Sequence, residues 1–140
     1  MSVILSNKMK TPDGTILESL HRHDYVTHTD ANGKEYMLDG GRDYVRCSAN
    51  NDEEMLTVTS DDSHEVIREA VKWGTYGKDG DEPLRYVTIA DLNPYHLRAI
   101  LDTQQWNMRH RHLSALYKVM QDEFRYREAQ VYGTTTTEST

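Results

Sequence analysis

The dipeptide Asn32-Gly33 separates two runs that alternate apolar and polar residues, "HDYVTHTDA" and "KEYML", and no other pair of residues limits the local fold so tightly. A type I′ turn needs positive φ at both central residues, which asparagine and glycine tolerate best, so the segment is expected to form a two-residue hairpin. That loop length dictates a register: Ala31 opposite Lys34, Thr29 opposite Tyr36, His28 opposite Met37 and Thr27 opposite Leu38. Strand alternation then puts His21, His23, Tyr25, Thr27, Tyr36 and Leu38 on one face, and Arg22, Asp24, Val26, His28 and Met37 on the other.

Short turns flank this hairpin on both sides. Pro12-Asp13-Gly14 is a turn with a mechanism, because proline presets φ and glycine takes the positive φ that other residues resist, and a strand should follow from Thr15 to Leu20. Asp39-Gly40-Gly41 should turn the chain into a third strand, Arg42 to Ser48, and after the polar link "ANNDEE" the run "MLTVTS" reads as another. Strands arriving in succession through short turns make an antiparallel meander.

Beyond Ser60 the apolar period lengthens. Asp62 and Glu65 are spaced as a capping box, and Val66, Ile67, Ala70 and Val71 make one apolar stripe, so a helix is expected to run to Gly74. "LRYVTIADL" reads as a returning strand. Asn93 is a suitable N-cap with Pro94 at the first helical position, and a last amphipathic helix should span about His112 to Gln130 on Leu113, Leu116, Tyr117, Met120 and Phe124. "GTTTTEST" has no apolar residue and reads as a disordered tail, 133–140, after a single domain over residues 1–132. The expected class is α+β: an N-terminal antiparallel β-meander packed against one inserted helix and two C-terminal helices.

Charge narrows the partners. Lys+Arg of 16 against Asp+Glu of 23 gives a net charge of -7, which repels a phosphate backbone and speaks against double-stranded nucleic acid. A hydrophobic fraction of 36%, with nine tyrosines and one phenylalanine, favours a small core and self-association into a homo-oligomer. Cys47 is the only cysteine, so neither an intrachain disulfide nor a thiolate zinc cluster can form, and it reads as a small buried residue. No run approaches the roughly 20 apolar residues of a membrane span, so no membrane partner is expected and the cytoplasm is the expected setting.

Candidate chemistry gathers at His21-Arg22-His23. Two histidines two apart on a strand point the same way, as a metal site or a proton-transfer pair requires, yet no second cluster at a ligand spacing completes such a site. Hydrogen-bonding surface histidines are therefore the preferred reading, with no metal and no cofactor expected. His110 and His112 repeat the triplet at a helix start, where residues two apart diverge. The loop "WGTYGKDGDEP" lacks the order of a P-loop, but Trp73, Tyr76 and Lys78 among glycines would let a planar ligand stack; a helix end with a buried Trp73 is the competing explanation. Arg22, Arg42, Arg46 and Arg85 lie on strands or their ends, and two of them converging would grip an anion, unless Asp24, Asp39 and Asp43 pair with them first.

The strings "HRHDYVTHTDANGKEYMLDGGRDYVRCS", "WGTYGKDGDEPLRYV" and "HLRAIL" resemble a family of small proteins encoded by large tailed bacteriophages, over roughly His21 to Leu101. The resemblance implies an accessory protein acting in the cytoplasm of an infected host cell, blunting a defence or redirecting host machinery. In build it is similar to phage proteins that sequester nucleotide immune signals, such as the Thoeris-inhibiting sponges. The expected function is accordingly a non-enzymatic binding protein that sequesters a nucleotide-like signal or blocks a host protein. Its expected ligand-binding residues are His21, His23, Tyr25, Tyr44, Arg46, Trp73, Tyr76 and Lys78. The rival readings are a metal-dependent or histidine-based phosphoesterase built on His21 and His23, and a virion or assembly component.

Overall fold

The computed structural model describes residues 2–77, 79–103 and 111–139. The fold is α+β, with seven antiparallel strands first, then a helix, a pair of strands and two further helices among the described residues. The chain divides after Asp62 into two compact units, and each is described by itself.

In the first unit the organising strand is β1, Ile4–Lys10, which pairs antiparallel with β2 (Ile16–Ser19), β6 (Glu54–Met55) and β7 (Val58–Thr59). Nothing in the alternation of "ILSNKMK" advertises it, because Leu5, Ser6 and Asn7 are buried in succession where the register against β7 slips. The Pro12-Asp13-Gly14 turn forms as expected: Thr11 N–H donates to the Thr15 carbonyl at 2.9 Å, and Gly14 sits at φ 90. Asp13 accepts from the Thr11 hydroxyl and from His28 Nε2, which hold its carboxyl well below the usual range.

A second sheet joins β3 (Val26–Thr29), β4 (Glu35–Asp39) and β5 (Arg46–Cys47) in that order. The hairpin exists, but its register differs from the expected one by one residue: Val26 faces Leu38, Thr27 faces Met37, His28 faces Tyr36 and Thr29 faces Glu35. The cause is Asp30, whose carboxylate accepts from the amides of both Asn32 and Lys34 at 2.9 Å. Only Gly33, at φ 80, has left-handed backbone there, so the loop holds three residues rather than the two of a type I′ turn. A slip of one exchanges the faces, and His28 therefore stands beside buried Tyr36 and not beside Met37. Met9, Leu17, Tyr36 and Leu38 form the core, with Val26 and Cys47 packed at its edge. Full burial of an aliphatic side chain of this size is worth about 1.5–3 kcal/mol.

The second unit begins with α1, His64–Ala70. Ser63, not Asp62, caps it by accepting from Val66 N–H, while Asp62 accepts from the Thr59 amide at 2.8 Å. The helix stops four residues before Gly74: Val71 turns to extended backbone, and β8 (Lys72–Thr75) pairs with β9 (Arg85–Thr88). Gly74 matters for packing instead of capping, since a Cβ there would lie 3.3 Å from both Leu84 and the Tyr86 ring. A 3-10 turn, Ile89–Asp91, leads to α2, Pro94–Thr103, where the Asn93 side chain accepts from Tyr95 N–H at 2.8 Å as the sequence implies.

Helix α3, Arg111–Ser139, packs on α1, on α2 and on the 3-10 turn through a row including Leu116, Val119 and Met120. Its helical backbone continues across residues 133–139, whose composition reads as a tail, because an established helix adds one hydrogen bond for each residue fixed. Among the described residues, no helix is long and apolar enough to cross a membrane.

Candidate functional site

Two loops of the first unit are fastened together from beneath. The Asn7 amide, buried on β1, donates to the carbonyls of Asp39, Gly41 and Tyr44 at 3.2, 3.0 and 3.3 Å. The Ser19 hydroxyl donates to Asp24 O at 2.7 Å and accepts from Gly41 N–H at 2.9 Å, so one side chain ties the 21–25 loop to the 40–45 loop. Gly40 and Gly41 are required by close approach: a Cβ at Gly40 would fall 1.9 Å from Tyr44 O, and one at Gly41 would fall 2.2 Å from the His21 carbonyl carbon.

On this base stand Tyr25, Tyr44 and Arg46. Arg46 lies directly across the ladder from Asp39, and its Nε and Nη2 donate to Asp39 Oδ2 at 3.2 and 3.1 Å. The Tyr44 hydroxyl approaches the same oxygen at 3.5 Å, and the guanidinium carbon sits 5.9 Å from the centre of the Tyr25 ring. Asp39 is 7% exposed and its other oxygen accepts from Gly40 N–H, so the carboxylate is fixed before any ligand arrives. Tyr25 and Tyr44 remain 55% and 41% exposed, and the Arg46 side chain 63%. The group offers two aromatic faces, a phenol hydroxyl on each and a cation whose charge is balanced by Asp39.

The other expected site residues fall differently. Strand β3 starts only at Val26, so His21 and His23 lie in an exposed turn in which Asp24 N–H donates to His21 O at 2.9 Å; the aligned pair that an H-x-H strand provides is not formed. Strand β5 likewise shrinks to Arg46–Cys47, which leaves Tyr44 on the loop. Trp73 lies on β8 opposite Val87, and Tyr76 follows that strand at 56% exposure, both in the second unit. Lys78 and His110 lie outside the described residues. Arg22 faces Asp43 at 3.9 Å, so Arg22 and Arg46 each meet a carboxylate and do not converge on an anion pocket. Among the described residues no three His, Cys, Asp or Glu side chains are grouped to hold a metal ion.

The second unit contains a polar cluster that motif reasoning missed. Glu123 is fully buried on α3. Its Oε1 accepts from His64 Nε2 at 3.0 Å and Arg68 Nε at 2.8 Å, and its Oε2 accepts from Arg68 Nη2 at 2.9 Å and Arg127 Nε at 2.6 Å. Burial alone would raise the carboxyl, but the Arg68 fork, then Arg127 and His64, hold it below its ordinary value; the same contact raises Arg68. Tyr126 caps the group, with the Arg68 guanidinium 4.3 Å from its ring centre. A usable signal was present: His64 and Arg68, like Glu123 and Arg127, are four apart and share a helix face.

Comparison with known protein families, curated proteins and solved structures finds no match.

Proposed function

We propose that this chain is a non-enzymatic binding protein that works by occupying another protein, with Tyr25, Tyr44 and Arg46 at the centre of the contact. One observation carries this reading: Tyr44 and Arg46 from one segment meet a fixed carboxylate, Tyr25 from another lies against Arg46, and all three stay exposed. Tyrosine and arginine are the residue types in which interface energy concentrates, because each presents a rigid apolar body with a polar end. A platform already held by Asn7 and Ser19 has little left to order on binding, which lowers the entropic cost.

A sequestered nucleotide-like signal is supported less well. Small-ligand sites enclose most of the ligand in a concavity, and a phosphate at Arg46 would compete with Asp39 for the guanidinium. The family resemblance supplies the context in which the proposal makes biological sense, a phage accessory protein blocking a host protein in the infected cell's cytoplasm.

The test compares the full chain with its Tyr25→Ala/Tyr44→Ala variant as baits for bacterial lysate, alongside thermal shifts with cyclic and linear nucleotides. A protein retained by the parent, lost from a variant of unchanged Tm, with no nucleotide shift, is the expected result. A nucleotide-dependent rise in Tm abolished by Arg46→Ala would establish sequestration instead. Stoichiometric metal with nucleotide turnover would establish the phosphoesterase.

A further inference from the structure

Resting on the binding-protein reading, we infer that the partner joins this chain as an added β-strand, an extended segment of it pairing with the open edge of β3 beside Tyr25. Strand β3 has a neighbour on one side only, since the sheet order is β3-β4-β5. Asp30 N–H donates to Lys34 O at 3.0 Å, so residues 30 and 34 are a hydrogen-bonded pair, and the alternation of an antiparallel ladder makes His28–Tyr36 and Val26–Leu38 the next two. The amides and carbonyls of Thr27 and Thr29 therefore point away from β4. The matching carbonyls of β4 point the other way and are occupied: Met37 O accepts from Ser48 N–H at 3.1 Å and Glu35 O from the Asn50 amide at 2.8 Å. Among the described residues no group meets the outward backbone of Thr27 or Thr29, and both residues are exposed.

The occupant follows from the spacing of these groups. Only extended chain presents N–H and C=O in the alternation that such an edge requires. Open edges are commonly closed off by proline, lysine or a bulge, and Val26–Thr29 has none of the three, its register against β4 being regular. Side chains of an added strand that lie beside Thr27 and Thr29 share their face, where β-branched and aromatic residues pack best, so the partner segment carries such residues at alternate positions.

A second copy of this chain fits the edge less well. Antiparallel self-pairing that uses both threonines sets His28 opposite its own equivalent, and each His28 lies 2.8 Å from an Asp13 carboxylate that Thr11 and His28 keep ionised. Like charges would then meet across the new ladder. Four residues of edge add only a few hydrogen bonds, so the ladder orients the partner while Tyr25, which immediately precedes β3, and the neighbouring Tyr44 and Arg46 supply the contact.

The deciding experiment purifies the protein that the full chain retains from lysate and follows hydrogen exchange at the Thr27 and Thr29 amides by NMR, in the free chain and in the complex. Both amides should exchange fast when free and about tenfold or more slowly when bound. Thr27→Pro removes an outward N–H without touching the ladder to β4. At unchanged Tm it should weaken the complex about tenfold, whereas Thr27→Ser should bind as the parent does. Should the proline variant lose Tm, exchange in the parent decides. Equal exchange free and bound, or undiminished binding by Thr27→Pro, overturns this inference and leaves the binding-protein reading intact where Tyr25→Ala/Tyr44→Ala still loses the partner. A dimer of the chain that protects the same amides gives the edge to a second copy and likewise overturns the inference. No protein retained by the parent overturns both.

Discussion

The two units meet the same difficulty, a buried polar side chain on a central element, with opposite chemistry. In the first, Asn7 is neutral and satisfies three backbone carbonyls of one loop region, so it fixes the conformation of a surface. In the second, Glu123 is ionised and collects His64, Arg68 and Arg127 from two helices, so it fixes helices to each other. Arg127 extends this network by donating to Ile89 O at 3.0 Å and Ala90 O at 3.4 Å on the 3-10 turn. A neutral hub costs less to bury than a charge, although the Asn7 side-chain oxygen is buried without a hydrogen-bond partner; a charged hub depends on the partners that balance it. The exposed aromatic patch adjoins the amide hub and rests on the Asp39–Arg46 pair, so it draws on both kinds of support.

The comparison can be broken at either end. Glu123→Ala removes the carboxylate shared by His64, Arg68 and Arg127, leaving Arg68 only Glu69 and Arg127 only its carbonyl acceptors, and should destabilise the second unit by about 3–5 kcal/mol, the range for breaking a buried ion pair. Both tryptophans, Trp73 and Trp106, lie beyond residue 62, so urea unfolding followed by their fluorescence reads this unit selectively. Asn7→Ala should cost about 1–3 kcal/mol, the penalty for carbonyls left without a donor. Hydrogen exchange should then rise first in peptides covering residues 40–45. If Glu123→Ala costs no more than Asn7→Ala, the two hubs are not different in kind.

Two smaller effects sharpen the contrast. Asp30→Ala removes the acceptor for two turn amides and should cost about 0.5–1.5 kcal/mol, seen as faster exchange at Asn32 and Lys34 with the tyrosine patch unchanged. The smallest effect at neutral pH concerns protonation. Because the folded state holds the Glu123 carboxyl below its ordinary value of 4.5, its contribution is complete above that pH and is lost as pH falls through the lower folded value. Tryptophan-detected stability should therefore fall on acidification, and Glu123→Gln should flatten that part of the profile. An unchanged slope in the variant would remove Glu123 as the acid-sensitive group.

The sequence announced the hairpin but not its register. Asn32-Gly33 marks the turn correctly, yet Asp30, two residues earlier, decided the loop length by accepting two amides, and that decision exchanged the faces of the strand. Among the expected site residues, Tyr25, Tyr44 and Arg46 do come together, though the strands meant to align them are shorter than their composition suggests. His21 and His23 were read from an alternation that starts only after them.

By itself the chain determined its class, its turns and the cap of α2, because these depend on the φ preferences and short-range hydrogen bonding of a few adjacent residues. Only the tertiary structure decided that β1 is the organising strand and that Glu123 is a buried hub. It also decided that Asp39 gathers Arg46 and Tyr44. The first two rest on partners distant in sequence, Asn7 on residues more than thirty positions away and Glu123 on His64 and Arg68 more than fifty away, and the third on a turn that brings residues five and seven positions apart together; no local pattern encodes which group will satisfy a buried polar atom.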